Sequence, residues 1–373
     1  MKKGLLLAGL LTLMTLNATA QEKELVSKPK FSGYFIGNYT ANFQDGKESN
    51  TFNLRILRLI LKGRILGDFE YTIQGQANGN TQNLGTSPRL VDLNVEWQKY
   101  PFFKVKVGQF KRPFTFENPM NPIDIGFMSL AQNVTALSGF SDRTGEHASN
   151  GRDIGVQLQG DFLPDANGRN MLHYQVGVFN GQGINLGDVD TKKDIIGGIT
   201  YSPVKGVRVG VYGWEGTHAR KGTWVDQEGQ THEGVNSLRQ HRYALSAEYK
   251  DDDWQVRSEY IHSTGYGFKN RYQKEADAKD AEVNWAAGDK ADGVYAVVIA
   301  PIVKQKLRAK ARYDLYRPSG EWGNAITKYD VGLNYLFHKN LEVQAQYTLV
   351  NDRSLPDDNH NYSIVNCQLC VRF

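Results

Sequence analysis

Basic and apolar residues alternate in the stretch "KVKVGQFKRPF". Successive side chains of an extended strand point to opposite faces, so Lys104 and Lys106 share one face while the valines between them occupy the other. Arg112 continues this basic row. A second row with the same spacing occurs late in the chain and contains Arg308, Lys310 and Arg312. Rows of Lys and Arg along a pore attract anions, including phosphate, so both rows are candidate channel-lining groups.

Acidic residues share the polar faces with the basic ones and occur on them in equal number. Asp92 and Glu96 alternate along one predicted strand, and Arg242 and Arg257 lie on two others. Charges more than about 8 Å apart are screened at physiological salt, so a local cluster affects a passing solute more than the total charge does. We therefore predict a weak preference for anions and a weaker one for phosphate. The alternative is that mixed charges only keep a wide pore hydrated.

Motifs for catalysis or metal binding are absent from the sequence. It contains no G-x-S-x-G, no H-E-x-x-H and no Gly-rich phosphate loop between a strand and a helix. Cys367 and Cys370 form a CxxC within a predicted strand, where residues three apart point to opposite faces, so they are poorly placed for a disulfide or a shared metal. The 44 Lys and Arg residues nearly balance the 40 Asp and Glu residues, which argues against a nucleic-acid partner. We expect no enzymatic activity, no metal and no cofactor.

The N-terminus has the pattern of an export signal. Lys2 and Lys3 precede an uncharged run that ends in the small-x-small sequence Ala18-Thr19-Ala20. That run is shorter than the about 20 apolar residues of a membrane helix. The expected organisation is a cleaved signal peptide over 1–20, a short polar segment over 21–30 and one barrel domain over 31–373.

Alternation of apolar and polar residues recurs along the rest of the chain and predicts strands. Between Phe69 and Ala77, for example, every second residue is polar. No segment has a sustained helical period, so neighbouring strands should pair antiparallel. The sixteen predicted strands are 31–43, 51–62, 67–78, 89–98, 102–112, 152–162, 171–180, 194–201, 206–215, 239–250, 253–263, 293–303, 306–316, 326–337, 340–350 and 361–373.

The connections between these strands alternate between short and long. The long ones include Gly216–Leu238 and Thr264–Asp292, and the short ones are tight turns. Short periplasmic turns, long outer loops and an even number of strands are typical of outer-membrane barrels. A soluble sandwich or propeller is the alternative, but a polar row on nearly every strand is costly to bury in a dry core. The predicted fold is therefore an all-β, 16-stranded antiparallel transmembrane β-barrel, with its apolar faces toward lipid.

Three stretches resemble the phosphate-selective porin O and P family: "VGQFKRPFTFENPMNP", "RDIGVQLQG" and "YQVGVFNGQG". The resemblance covers the chain from Phe31 to Phe373 and implies a 16-stranded porin, commonly trimeric, whose third outer loop folds into the lumen. In this sequence that loop corresponds to Pro113–Gly151, and its return limb contains Asp142 and Arg143 as candidate constriction residues. The final Phe373 resembles the C-terminal residue that barrel-assembly machinery recognises.

The expected function is that of a porin in the cell outer membrane, providing a water-filled channel for small hydrophilic or anionic solutes. Outer-membrane lipid and two further copies of the chain, in a homotrimer, are the expected partners. The alternative is a barrel that acts mainly through its outer loops, as an adhesin or as a docking partner of a nutrient-uptake system. Long outer loops suit both interpretations, and a conductance measurement separates them.

Overall fold

A computed structural model describes residues 25–80, 87–140, 149–269 and 281–373. The predicted signal peptide over 1–20 lies outside these residues, as do Asp142 and Arg143. None of the described helices is long enough and apolar enough to cross a membrane.

The described residues form sixteen strands that close into one barrel, in which each strand pairs antiparallel with its neighbours in sequence and β1 pairs with β16. The predicted 16-stranded antiparallel barrel is confirmed. The strands are β1 (Lys30–Asn42), β2 (Ser49–Ile65), β3 (Phe69–Ala77), β4 (Arg89–Tyr100), β5 (Phe103–Lys111), β6 (Arg152–Pro164), β7 (Asn170–Phe179), β8 (Asp194–Tyr201), β9 (Val207–Val225), β10 (Thr231–Asp251), β11 (Trp254–Thr264), β12 (Lys290–Val303), β13 (Leu307–Arg317), β14 (Ile326–His338), β15 (Leu341–Asp352) and β16 (Asn361–Arg372).

Connections at the two ends of the barrel differ in length. One end, which we call the short-turn rim, has the connections 66–68, 101–102, 165–169, 202–206, 252–253, 304–306 and 339–340. The other end, the long-loop rim, has the connections 43–48, 78–88, 112–151, 180–193, 226–230, 265–289, 318–325 and 353–360. Both chain ends of the barrel lie at the short-turn rim, as an even number of strands requires.

The predicted long loop Gly216–Leu238 is mostly strand. β9 continues to Val225 and β10 begins at Thr231, so residues 226–230 alone form the connection. The two strands stay paired beyond the predicted ends because their backbone groups hydrogen-bond to each other. A tight turn closes the hairpin, and in it the Asp226 carboxylate accepts hydrogen bonds from the backbone amides of Glu228 and Gln230. Two-residue periodicity is weak in this glycine-containing segment, so the sequence did not reveal the extension.

Strand residues alternate between the lumen and the outer surface as the sequence pattern predicts. Val95 and Val107 pair directly across β4 and β5 and are exposed on the outer surface, whereas Glu96 and Lys106 pair on the inner face. Cys367 is exposed and Cys370 is buried, and both are free thiols, in agreement with their prediction on opposite faces. The alternation therefore sets the register of the barrel, because the opposite register would place lysines in lipid.

We call the connection between β5 and β6 loop 3, and its described residues lie inside the barrel. Its described residues include one short 3₁₀ turn, Pro122–Asp124, and one helical turn and a half, α1 (Gln132–Leu137). The helix α1 lies against β11, β12 and β13. Loop 3 is thus a packed element of the lumen and not a free surface loop.

Candidate functional site: the lumen beside loop 3

Loop 3 packs against the inner wall of β9–β13 through aromatic and aliphatic side chains. Phe114 meets the Trp214 ring edge to face at a centroid distance of 5.6 Å, and Phe116 meets Tyr212 in the same way at 6.0 Å. The buried loop 3 members of this cluster are Phe114, Phe116, Ile125, Phe127, Leu130, Ala131, Val134, Leu137 and Phe140. This half of the lumen is therefore filled by a hydrophobic core rather than by solvent.

A buried polar network fixes the first half of loop 3. The Glu117 carboxylate accepts a bond from Arg257 Nη2 at 2.6 Å. Glu259 accepts the backbone amides of Phe116 at 2.5 Å and Glu117 at 2.9 Å, and its Oε1 also accepts the Tyr295 hydroxyl at 2.6 Å. The side chains of Glu117 and Arg257 are fully buried. Charged groups in such a setting are retained only when each has a partner, and here each does.

The second half of loop 3 rests on charged side chains of β13. Lys310 Nζ donates to the Gly126 carbonyl at 3.0 Å, and Arg312 Nη1 donates to the Ser129 carbonyl at 2.8 Å. Arg312 Nε also lies 2.6 Å from Asp330 Oδ2. Only 3% of Lys310 and 4% of Arg312 is exposed. These two predicted channel-lining residues therefore lie beneath loop 3 and away from open lumen.

Of three further predicted lumen residues, Arg242 and Arg257 hold loop 3 and Arg308 does not. Arg242 Nη1 donates to the Leu137 carbonyl at 2.9 Å, and Arg257 belongs to the network around Glu117. Arg308 instead pairs with Glu342 at 3.4 Å and stays partly exposed. A polar inward row looks the same in sequence whether water or a loop covers it, so alternation alone could not separate these cases.

Loop 3 reaches across the lumen to the first and last strands. Ile123 packs in a small buried cluster with Tyr34, Ile36, Ile56 and Cys370. Beside it, Asp124 Oδ1 accepts a bond from Arg372 Nη1 at 2.8 Å. The loop is thus held on both sides of the barrel and divides its interior.

A cavity of about 350 Å³ remains between loop 3 and the wall formed by β2–β7. Most of its lining residues are polar. The basic lining residues are Lys62, Lys106, Lys111, Arg112 and Arg152, the acidic ones are Glu70, Asp92 and Glu96, and the amides are Gln74, Asn94, Asn121, Gln157, Gln159 and Gln175. The cavity offers a solute many hydrogen-bonding groups and a small excess of positive charge.

The predicted basic row on β5 is present, but each of its members has a carboxylate partner. Lys104 lies 2.8 Å from Asp161, and Lys106 lies 3.2 Å from Glu96.

Arg112 is fully buried 3.0 Å from Asp153, and its guanidinium stacks over the Trp214 ring at 4.8 Å. The basic row on β5 therefore consists of paired charges, and the carboxylate partners weaken its electrostatic attraction for anions.

The cavity residues that the sequence analysis missed include Arg152 and Lys111. Arg152 forms a bidentate pair with the predicted Asp92, with Nε to Oδ1 at 2.6 Å and Nη2 to Oδ2 at 3.0 Å. Lys111 Nζ donates to the carbonyls of Asn118 and Met120 at 2.5 and 2.8 Å, so it holds the start of loop 3. Both lie where a strand meets loop 3, and alternation is lost at such ends. Their position within the stretches that carry the family resemblance was the available signal.

Several solved structures share this fold at low sequence identity. The anion-selective porin from Comamonas acidovorans superposes with a TM-score of 0.63 at 13% identity, covering 93% of this chain and 100% of that one. OmpF of Salmonella typhi gives a TM-score of 0.63 at 14% identity, covering 93% and 98%. OmpT of Vibrio cholerae, in a trimer form, gives 0.56 at 10% identity, covering 94% and 100%. Such identities establish the fold alone.

Sequence comparison shows a similarity to one family over part of the chain. No curated protein sequence is significantly similar to the chain. The family model described as phosphate-selective porin O and P matches residues 32–203, which run from β1 to the end of β8 and include loop 3 and the cavity wall. Over these residues, somewhat less than half of its length, the chain is similar to the phosphate-selective porin O and P family, and its barrel has the fold of the solved porin structures.

Proposed function

We propose that the chain is an outer-membrane porin through which small hydrophilic solutes diffuse passively, with a weak preference for anions. The observation that carries this proposal is the polar cavity of about 350 Å³ between loop 3 and the β2–β7 wall. A polar passage narrowed by a fixed loop admits small hydrated solutes and excludes larger ones. In this interpretation loop 3 sets the size limit and the cavity wall sets the charge preference.

The weak preference follows from how the charges are paired. Basic residues outnumber acidic ones in the cavity lining, which favours anions. However, Lys106 and Arg152 are partly neutralised by Glu96 and Asp92. A wall of ion pairs attracts phosphate far less than a row of unpaired lysines would. We therefore expect anions such as chloride to pass more readily than potassium, without strong phosphate selectivity.

The proposal includes the export and assembly of the protein. Residues 1–20 act as a signal peptide, and the barrel then inserts into the outer membrane. A homotrimer is supported by the family resemblance and by the trimer form described for one structural neighbour. A channel needs no catalytic residues, and the sequence contains no catalytic motif.

Planar bilayer recording tests the proposal. Purified protein is added to a bilayer under a salt gradient, and conductance and reversal potential are measured with and without phosphate, against a detergent blank. We expect stepwise conductance and a reversal potential displaced modestly toward the anion equilibrium potential. Strong block by phosphate would replace weak preference with selectivity. Folded protein that inserts but does not conduct would overturn the porin proposal and favour a role of the outer loops.

A further inference from the structure

Charged side chains and histidines occur on the outer surface of the barrel in one sector. Directly paired residues of neighbouring strands share a face, so the ladder shows which residues point outward. Glu215 pairs with Ile195, which is exposed on the outer surface, and on its other side with His241. Tyr243 lies two residues after His241 on β10 and therefore also points outward.

The adjacent row continues the same face across β10–β13. Tyr243 pairs with His262, His262 with Asp292, and Asp292 with Arg317. We call the whole set the outer-face cluster; its members are Glu215, Arg239, His241, Tyr243, His262, Lys290, Asp292 and Arg317.

The outer-face cluster contains two similar groups, each with a carboxylate between an arginine and a histidine. In the first, Glu215 Oε1 lies 2.8 Å from Arg239 Nη2, and Glu215 also contacts the His241 ring nitrogen.

In the second group, Asp292 accepts Arg317 Nε at 2.7 Å and lies 4.0 Å from His262 Nδ1. Tyr243 stacks on His262 with a centroid distance of 5.2 Å and lies between the two groups. Each carboxylate thus fixes the orientation of one arginine and one histidine side chain at the surface.

The outer-face cluster lies at one level along the barrel axis, which we call its height, and on one group of neighbouring strands, β9–β13. Its members are about nine to fourteen residues from the short-turn rim, which is where a strand leaves the hydrocarbon after its 9–11 membrane-spanning residues. Among the described strand residues at this height, outward charged side chains occur on β9–β13 alone. Outward residues at comparable positions on other strands are uncharged: Tyr39, Leu54, Ala77, Leu90, Ile154, Val178, Tyr329, Leu349 and Ser363.

The surface directly below the cluster is apolar. Val211 and Leu245 pair with each other four residues nearer the short-turn rim than Glu215 and His241, and they are 54% and 52% exposed on the outer surface. On the other side of the cluster, at the long-loop rim, Arg317 stacks under the exposed Trp322 ring at 4.7 Å. Aromatic rings of this kind favour the boundary between lipid and water. The cluster therefore sits immediately above a lipid-facing band.

We propose that the outer-face cluster binds the phosphate-bearing headgroup of an outer-leaflet lipid. Its arginines and lysine outnumber its carboxylates, and Arg239 is 72% exposed at its side chain while Glu215 holds it in place. Guanidinium groups bind phosphate oxygens through paired, charge-assisted hydrogen bonds. Basic groups just outside the hydrocarbon are the usual recognition sites for anionic headgroups. The lipid chains would then lie along the apolar band below.

Native mass spectrometry of the detergent-solubilised protein tests this proposal. The protein is incubated with a lipid that carries phosphate monoesters, or with the same lipid after the phosphates are removed, and retained lipid is counted. We expect wild type to retain the phosphorylated lipid about fivefold better, given charge-assisted contacts to phosphate. The Arg239→Gln/Arg317→Gln double variant should lose this difference. Arg239→Gln alone, at an exposed position, should lose part of it without risk to folding.

Lys47→Gln, which removes an exposed charge from the 43–48 connection, is the matched control and should behave as wild type. Equal retention of both lipids by wild type, or unchanged retention in both arginine variants, would overturn the proposal. So would a change of oligomeric state in sedimentation with lipid retention unaltered, because the cluster would then be a subunit contact. Resistance to unfolding in sodium dodecyl sulfate at room temperature verifies that each variant is a folded barrel.

Discussion

The Lys106 ammonium lies 3.2 Å from the Glu96 carboxylate, across the pair of strands β4 and β5 and on the wall of the polar cavity. Glu96 also accepts a hydrogen bond from Gln159 at 2.5 Å, so its position is fixed from two sides. Because the pair is partly exposed, the carboxylate reduces the attraction that Lys106 exerts on anions without removing it. We therefore expect charge pairing, rather than the number of lysines, to decide the ion selectivity of this wall.

Replacement of Glu96 by glutamine should raise anion selectivity. The substitution preserves the side-chain shape while leaving the Lys106 charge unpaired, so we expect the anion-to-cation permeability ratio to rise roughly twofold. Reversal potential under a salt gradient measures this ratio. Glu282→Gln is the control, because Glu282 pairs with Lys269 at 3.0 Å in an exposed loop. An unchanged ratio in Glu96→Gln would mean that permeating ions do not approach Lys106.

The alternating pattern makes a prediction about stability. Val107 is 50% exposed on the outer surface of β5, while its neighbour Lys106 faces the cavity. Val107→Lys would place an ammonium in hydrocarbon, and we expect it to lower the free energy of unfolding by about 2–4 kcal/mol near the bilayer midplane. Unfolding by urea in lipid vesicles, followed by tryptophan fluorescence, gives this value. The control is Lys104→Arg, which keeps a charge on the inner face and should change stability little.

The stability of the β9–β10 hairpin should depend on pH, because its turn contains the titrating carboxyl group of Asp226. A hydrogen bond from His232 Nε2 at 2.7 Å, assisted by the amides of Gln230 and Glu228, holds the pKa of the Asp226 carboxyl below its ordinary value. A lowered folded-state pKa means that the stabilisation is present above the ordinary aspartate pKa and is lost as pH falls through the lowered one.

We therefore expect the Gln230 amide to exchange with solvent faster in acid, after correction for intrinsic rates. Asp226→Asn should show fast exchange at all pH values, because it removes the titrating group. A wild-type exchange rate that does not change as the pH falls from above the ordinary aspartate pKa to below the lowered pKa of Asp226 would contradict the prediction.

The alternation of apolar and polar residues predicts most of the fold but few of the contacts in the candidate site. The sequences around Phe69–Ala77 and Lys104–Val107 specify strands and register, since one face must meet lipid and the other water. The same pattern cannot show that Lys310 and Arg312 lie under loop 3, because a covering loop satisfies those charges as well as water does. That information lies in contacts between residues far apart in sequence, such as Arg312 with Ser129.

Strand ends were the other source of error. Lys111 and Arg152 fall where β5 and β6 meet loop 3, and the preceding Gly108 has a φ of +123°, a conformation that side-chain-bearing residues rarely adopt. Two-residue periodicity assumes regular extended backbone, so it does not predict the side-chain directions beyond such a position.

The buried Arg257 should control how firmly loop 3 is held. It contacts Glu117 at 2.6 Å and Glu248 at 3.2 Å, and its Nε donates to the Tyr295 hydroxyl at 2.8 Å. Arg257→Met keeps the volume of the side chain but leaves buried carboxylates without their cation, which typically costs about 3–5 kcal/mol. Loop 3 is the element that can move to hydrate those carboxylates, whereas the sixteen-strand ladder stays paired.

We therefore expect Arg257→Met to form a folded barrel whose single-channel conductance is larger and noisier than that of wild type. The double variant Arg257→Met/Glu117→Gln removes one of the orphaned charges and should recover part of the quiet, smaller conductance. Single-channel recording in a planar bilayer separates these outcomes. Arg208→Met provides a comparison, because Arg208 pairs with Glu248 at 2.6 Å but remains partly exposed near the short-turn rim. If conductance is unchanged in Arg257→Met while urea stability falls, the network stabilises the barrel wall and loop 3 is held by its apolar contacts with Trp214 and Tyr212.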